Sequence, residues 1–145
     1  MTLHDRPADI RIAVAMIINR NGEMLTVRKR GTAKYQQPGG KIDPGETPLE
    51  ALIRELNEEL ALTCSMENFR YEGRHREWAA NEPGMIVEAE AYSWLASPDV
   101  TPQAEIEDIR WLPVKGKITV KRAALTEKHL FPIATKRFLE AENAA

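Results

Sequence analysis

A single cysteine, Cys64, stands among the 145 residues, so no internal disulfide can form and the fold has to rest on its core. Cys64 follows the apolar end of a helical segment, and its thiol is expected to be structural. No stretch approaches 18 uninterrupted apolar residues, so no membrane-spanning helix is expected and a membrane is not among the expected partners. The opening MTLHDRPADIRI carries Asp and Pro early and has no apolar run of signal-peptide length; with the lone thiol this makes the cytoplasm the expected location. Neither sign of charge dominates: the net charge is −2 and the pI about 6.0, which lacks the basic excess that gripping a nucleic-acid backbone calls for. A polyanionic small molecule is still compatible, because a divalent cation can supply positive charge locally. Repeats, low-complexity stretches and linkers are also missing, and the length suits one domain over 1–145.

What is present is an order of strands and helices. Ile10–Ile18 is an apolar, partly β-branched run ended by Asn19-Arg20-Asn21-Gly22, a strand and a hairpin-type turn, and residues 23–30 read as the return strand. Residues 35–42 read as a short strand broken by Gly39-Gly40, and Asp43-Pro44-Gly45 as a turn. Thr47, Pro48 and Glu50 announce a helix: an N-cap, the favoured first position and a capping-box partner. Leu49, Leu52, Ile53, Leu56 and Leu60 then recur at helical spacing, and the helix is expected to run to about Leu60. Residues 69–79 and 85–95 read as two strands around Asn81-Glu82-Pro83-Gly84. The second alternates Met85, Val87, Ala89 and Ala91 with Glu88, Glu90 and Tyr92, the pattern of a sheet with one face buried. A strand over 108–112 and a helix over 126–140, with Leu130, Ile133, Ala134, Phe138 and Leu139 inward, complete a single mixed α/β domain.

On the first helix Glu55, Glu58 and Glu59 fall on one narrow arc, about 120° from the apolar stripe by helical-wheel arithmetic. Like charges at such spacing destabilise a helix, and a hard divalent cation that prefers oxygen ligands relieves the repulsion. An acidic solvated face is the plain alternative for the helix taken alone. The loop before it adds Gly39-Gly40, where backbone can approach a ligand closely.

Read together, Gly40, five residues, Glu46, seven residues and then Arg54-Glu55-Leu56-Asn57-Glu58-Glu59-Leu60-Ala61-Leu62 resemble the Nudix box, the signature of hydrolases acting on nucleoside diphosphates linked to another moiety. Of nine defined positions eight match, and Ala61 stands where the family usually has Gly. The elements on either side also suit the family, so the resemblance covers nearly the whole chain. It implies an α/β/α sandwich around a mixed β-sheet.

The same resemblance implies Mg²⁺, with Mn²⁺ as substitute, held by Glu55, Glu58, Glu59 and the carbonyl of Gly39, with Glu105 as an additional MutT-type ligand and Glu107 as its competitor. It makes Arg54 the residue that orients the glutamates and Glu46 the one that fixes loop to helix. The catalytic set is then Arg54, Glu58, Glu59 and Glu105, with the base open between a box glutamate and a later carboxylate. From the residues themselves, Arg28 and Arg30 alternate onto one face of the second strand and, with Lys41, are in reach of phosphates; Trp78, Tyr35 and Phe131 are candidates for stacking on a base, solubility and core packing being the plain alternatives. The expected partner is a small-molecule nucleotide acted on by a monomer or homodimer.

Subgroup markers mostly fail: Arg76, Glu77 and Trp78 stand where related subgroups have proline or tyrosine, and the coenzyme A signature is absent. Leu130, two before Pro132, stands where oxidised-guanine enzymes offer asparagine. The Gly-Gly-Lys and the short chain lean toward nucleoside triphosphate pyrophosphohydrolases, with dinucleoside polyphosphate or nucleotide-sugar hydrolysis next and a non-hydrolysing nucleotide-binding module as the alternative of a different class. For Ala61 the expectation is a negative φ, or a helix one residue longer.

Overall fold

The structure, a computed structural model, describes residues 2–144. Six strands, β1 (Ile10–Ile18), β2 (Glu23–Lys29), β3 (Gly39–Lys41), β4 (Arg70–Trp78), β5 (Ile86–Leu95) and β6 (Ile106–Pro113), form one sheet in the order β4-β5-β1-β2-β6, with β3 paired to β1. The sheet is mixed: β1 runs parallel to β5, while β1–β3, β2–β6 and β4–β5 are antiparallel. Helices α1 (Pro48–Leu60) and α2 (Phe131–Ala144) cover opposite faces, which gives the α/β/α sandwich.

The alternation along β1 builds both halves of the core. Ala13, Ala15 and Ile17 join Leu25, Val27 and the α1 residues Leu52, Leu56 and Leu60. Val14, Met16 and Ile18 join Met24, Leu112, Leu130, Phe131 and Ala134 on the α2 side. β5 corrects the expected pattern, since Ile86–Ser93 is buried throughout. Its Glu88 and Glu90 lie beneath an arginine ladder: Arg76 Nε donates to Glu88 at 2.9 Å, and Arg74 Nη2 to Glu90 at 3.0 Å. Cross-strand guanidinium groups therefore cover carboxylates that alternation alone assigns to solvent.

Two further boundaries differ from expectation. The third strand shrinks to Gly39–Lys41, with Tyr35 and Gln36 in isolated bridges, because Pro38 has no N–H for a ladder. The last helix begins as a wide π turn, Thr126–Leu130, before α2 proper. Leu130 and Ala134 are fully buried, Ile133 and Phe138 partly, and Leu139 is exposed.

α1 starts as its sequence announces, with Thr47 accepting from the Glu50 N–H at 3.2 Å and the Glu50 carboxylate accepting from the Thr47 N–H at 2.8 Å. It ends at Leu60, but Ala61 adopts φ 52 and ψ 33, the left-handed conformation that the sequence reading excluded. Its N–H donates to the carbonyl of Asn57 at 3.0 Å, and the Leu62 N–H to Leu56 at 3.4 Å, so orphaned carbonyls are satisfied at the cost of a Cβ in the left-handed region. The stretch between β5 and β6 closes the same end: Gln103 N–H donates to Glu59 O at 2.8 Å and Thr101 N–H to Leu60 O at 3.0 Å. Because Ala61 is strained, Ala61→Gly is expected to stabilise the fold by about 1 kcal/mol, a rise of about 3 °C in Tm for a chain of this size. The change should leave kcat within about threefold, since that is under about 0.7 kcal/mol of barrier. Thermal unfolding that shows no rise counts against the strain.

Candidate active site

The capped start of α1 and its apolar stripe stop the helix from rolling, so its acidic edge is fixed against β3. Arg54 ties the two together. Its Nε and Nη2 donate to Glu46 at 2.7 and 2.9 Å, its Nη1 to Glu55 at 2.8 Å, and its Nη2 also to the Lys41 carbonyl at 3.0 Å. Arg54 and the Asp43 N–H together hold the Glu46 carboxyl down at about 2, and the hydrogen bonds to Glu46 and then Glu55 raise the Arg54 guanidinium.

Glu59 is the buried member of the acidic edge, 3% exposed, and accepts a hydrogen bond from the Gly39 N–H at 3.1 Å. Burial pushes its carboxyl up to about 7, opposed by the Gly39 hydrogen bond and the charge of Lys29, and reinforced by Glu55 and Glu105. Glu55 is held over Gly40, where a Cβ would lie 2.5 to 2.8 Å from its carboxylate atoms. Gly39, at φ +142, has no room either, because a Cβ would sit 2.1 Å from the Ala13 carbonyl oxygen. The glycine pair is therefore required twice, by backbone packing and by a carboxylate.

Glu58 stands largely in solvent, with Arg54 Nη1 at 3.6 Å. Among the described residues no three His, Cys, Asp or Glu side chains are gathered tightly enough to hold a metal ion as they stand. The donors along this edge are nevertheless all oxygens, and one is desolvated beside a single lysine. That chemistry suits Mg²⁺ or Mn²⁺ and does not suit a soft metal.

Glu105 and Glu107 part company. Glu105 lies close enough to act on Glu59 and pairs with Lys29 Nζ at 3.3 Å. Glu107 accepts from Arg28 Nη2 at 3.1 Å and has Arg30 Nε at 3.9 Å. β2 ends at Lys29, the register slips there with Glu107 as the extra residue on β6, and Arg28 and Arg30 both turn to that carboxylate. Lys29, which the sequence reading passed over, is the β2 cation that lines the cavity beside the site.

That cavity is walled by Ile10, Ile12, Val14, Val87 and Leu125, with Lys41 and Trp78 also in its lining. Trp78 is exposed and carries the Arg6 guanidinium 5.6 Å from its ring centre. Tyr35 and Phe131 belong to the core instead. Two polar side chains that no local signal marked, Gln37 and Thr126, are buried in the lining.

A family model described as NUDIX domain matches residues 9–132. Over 58 residues the chain is 45% identical to an 8-oxo-dGTP diphosphatase of Escherichia coli, covering 37% of this chain and 45% of that one. Over 47 residues it is 49% identical to an RNA pyrophosphohydrolase of Tolumonas auensis, covering 32% and 27%. The chain thus spans less than half the length of these curated relatives. A bifunctional NMN adenylyltransferase/ADP ribose pyrophosphatase of Francisella tularensis, solved with AMP and a manganese ion, superposes with a TM-score of 0.69 at 20% identity. That match covers 95% of this chain and 43% of the other.

Proposed function

The chain belongs to the NUDIX domain family, and from that premise we propose that it is a Mg²⁺-dependent nucleotide pyrophosphohydrolase that releases a nucleoside monophosphate from a (d)NTP-like substrate. The observation that carries the reading is the acidic edge of α1 locked against Gly39-Gly40, beside a cavity that has cations in its lining. Glu55, Glu58, Glu59 and the Gly39 carbonyl are the ligand set, with Glu105 beside Glu59. Mg²⁺, or Mn²⁺ in its place, neutralises phosphate charge and lowers the pKa of a bound water. A water attacks one phosphorus of the α–β anhydride and gives up a proton, the bridging P–O bond breaks and its electron pair leaves with the departing fragment, so that the two products are the nucleoside monophosphate and pyrophosphate.

The chain's own residues do the rest. Arg54 holds Glu55 and the loop at Glu46 in one geometry. Lys29 and Lys41 line the cavity where phosphate oxygens would approach. Glu59, desolvated and near neutral pH in its titration, is suited to hold or accept a proton. The relatives named as an 8-oxo-dGTP diphosphatase and an RNA pyrophosphohydrolase support a pyrophosphohydrolase, and the absence of a basic excess favours a free nucleotide over RNA.

The test is a panel of nucleoside triphosphates, dinucleoside polyphosphates and nucleotide sugars with Mg²⁺ and product identification. Nucleoside monophosphate and pyrophosphate from a triphosphate is the expected result. Nucleotide binding without turnover of any member would establish the regulatory-module alternative instead.

A further inference from the structure

The cavity contains a polar feature that the hydrolytic chemistry does not use. Gln37 is 4% exposed and Thr126 1%, and both stand among Ile10, Ile12, Val14 and Leu125. The Thr126 hydroxyl donates to Gln37 Oε1 at 2.7 Å, across 89 residues of sequence. On the other side, Gln37 Nε2 donates to the thioether of Met24 at 3.4 Å. A thioether only accepts, and weakly, so the amide nitrogen faces Met24 and the amide oxygen faces Thr126. Buried amides in an apolar wall ordinarily find stronger partners than sulfur.

The backbone keeps this amide in place. Gln36 and Val27 exchange both hydrogen bonds, the Pro38 carbonyl accepts from Ala15 N–H at 3.0 Å, and the Gly39 N–H is held by Glu59. Gln37 sits between these ties, on the segment that leads into the glycine pair. Thr126 is equally fixed, because the π turn that carries it is braced by His129 Nε2, 3.2 Å from the buried Glu77 carboxylate. Such wide turns are frequent at functional sites.

The unused hydrogen-bonding capacity can be counted. Gln37 keeps one N–H and one oxygen lone pair, and Thr126, having given its only hydrogen to Gln37, offers lone pairs alone. That is one donor and two acceptors. An exocyclic amino group supplies two hydrogens to the two acceptors, while the adjacent ring nitrogen takes the donor. Guanine fills the same set with O6, N1–H and its 2-amino group, whereas uracil offers one hydrogen between two carbonyls and leaves an acceptor facing an acceptor. We propose that the Gln37–Thr126 pair reads the heterocycle of the substrate and selects bases that carry an exocyclic amino group, adenine, cytosine or guanine, over uracil, which carries none. This rests on the pyrophosphohydrolase reading for its substrate class.

The experiment compares kcat/KM for ATP, CTP, GTP and UTP in the natural chain, in Gln37→Leu and in Thr126→Val. A parallel series follows the binding of the four nucleoside monophosphates by tryptophan fluorescence, with folding checked by thermal unfolding. The natural chain should favour the amino-bearing substrates ATP, CTP and GTP over UTP by at least tenfold. Gln37→Leu should erase most of that ratio through KM, leaving kcat within about threefold. Thr126→Val keeps the amide but frees it to turn, and should lower the ratio even if Gln37→Leu fails to fold. Equal or better use of UTP by the natural chain overturns the proposal, as does an unchanged ratio in a folded variant. If no triphosphate is cleaved but AMP, CMP and GMP bind in preference to UMP through Gln37, the hydrolase reading falls and this one stands. Neither cleavage nor selective binding removes both.

Discussion

Excess EDTA is expected to reduce turnover of the best nucleotide by at least about 10³-fold, roughly 4 kcal/mol of barrier, and Mg²⁺ or Mn²⁺ should restore it. The size follows from what the chain lacks at the site. Phosphoryl transfer needs its developing charge compensated, and the cations in the cavity lining are lysines. Lys29 is already engaged by Glu105 at 3.3 Å, and Arg28 and Arg30 are turned to Glu107. Meanwhile Glu55 and Glu59 bring negative charge to the edge that the phosphates must approach. Without a divalent ion the site repels its substrate. Full turnover in excess chelator, with metal contamination excluded by elemental analysis, would end the metal mechanism.

Glu58→Gln and Glu59→Gln should each lower kcat by at least about 10², the scale for losing a catalytic acid, base or ligand. The two should differ in everything else. Glu58 is exposed, and its one ion pair among the described residues is the 3.6 Å approach of Arg54, so its amide should leave the unfolding temperature unchanged. Glu59 is buried, and its oxygen receives the Gly39 N–H; glutamine keeps that acceptor and removes a desolvated charge, so stability should hold or rise. Glu50→Gln is the control, because its carboxylate serves the helix cap and a glutamine serves equally well there. Equal loss of activity in all three variants would mean that the acidic face is structural.

Local signals carried much of this architecture. The cap at Thr47, the Leu52–Leu56–Leu60 stripe and the Gly-Gly pair are written within a few residues of where they act, and the sandwich follows from their order. The misses share one cause, a partner distant in sequence. Glu88 and Glu90 look solvent-facing until Arg74 and Arg76 arrive from the neighbouring strand. Lys29 follows Leu25 and Val27 onto the α1 face by alternation, but it gains a role only when Glu59 and Glu105 arrive from other elements. Ala61 breaks the local rule for left-handed positions because carbonyls of α1 and the approaching 101–103 backbone fix the helix end around it. In the candidate site the sequence pointed to the carboxylates but not to their differing exposure. Gln37 and Thr126 meet only through the tertiary fold.

The main-chain bonds from Thr101 and Gln103 to the end of α1 also bear on how this chain can vary among relatives. Surface connections ordinarily tolerate changes in length, but this one cannot be treated as a free spacer. Its donors occupy the last carbonyls of the helix that carries Glu59, and two residues later it delivers Glu105. An added or deleted residue between Gln103 and Glu105 would shift the acid relative to the helix it faces. Changes between Ala96 and Val100 would be absorbed before the first tie. Length variation in this segment is therefore expected to gather on its β5 side, with its final five residues held to a constant count.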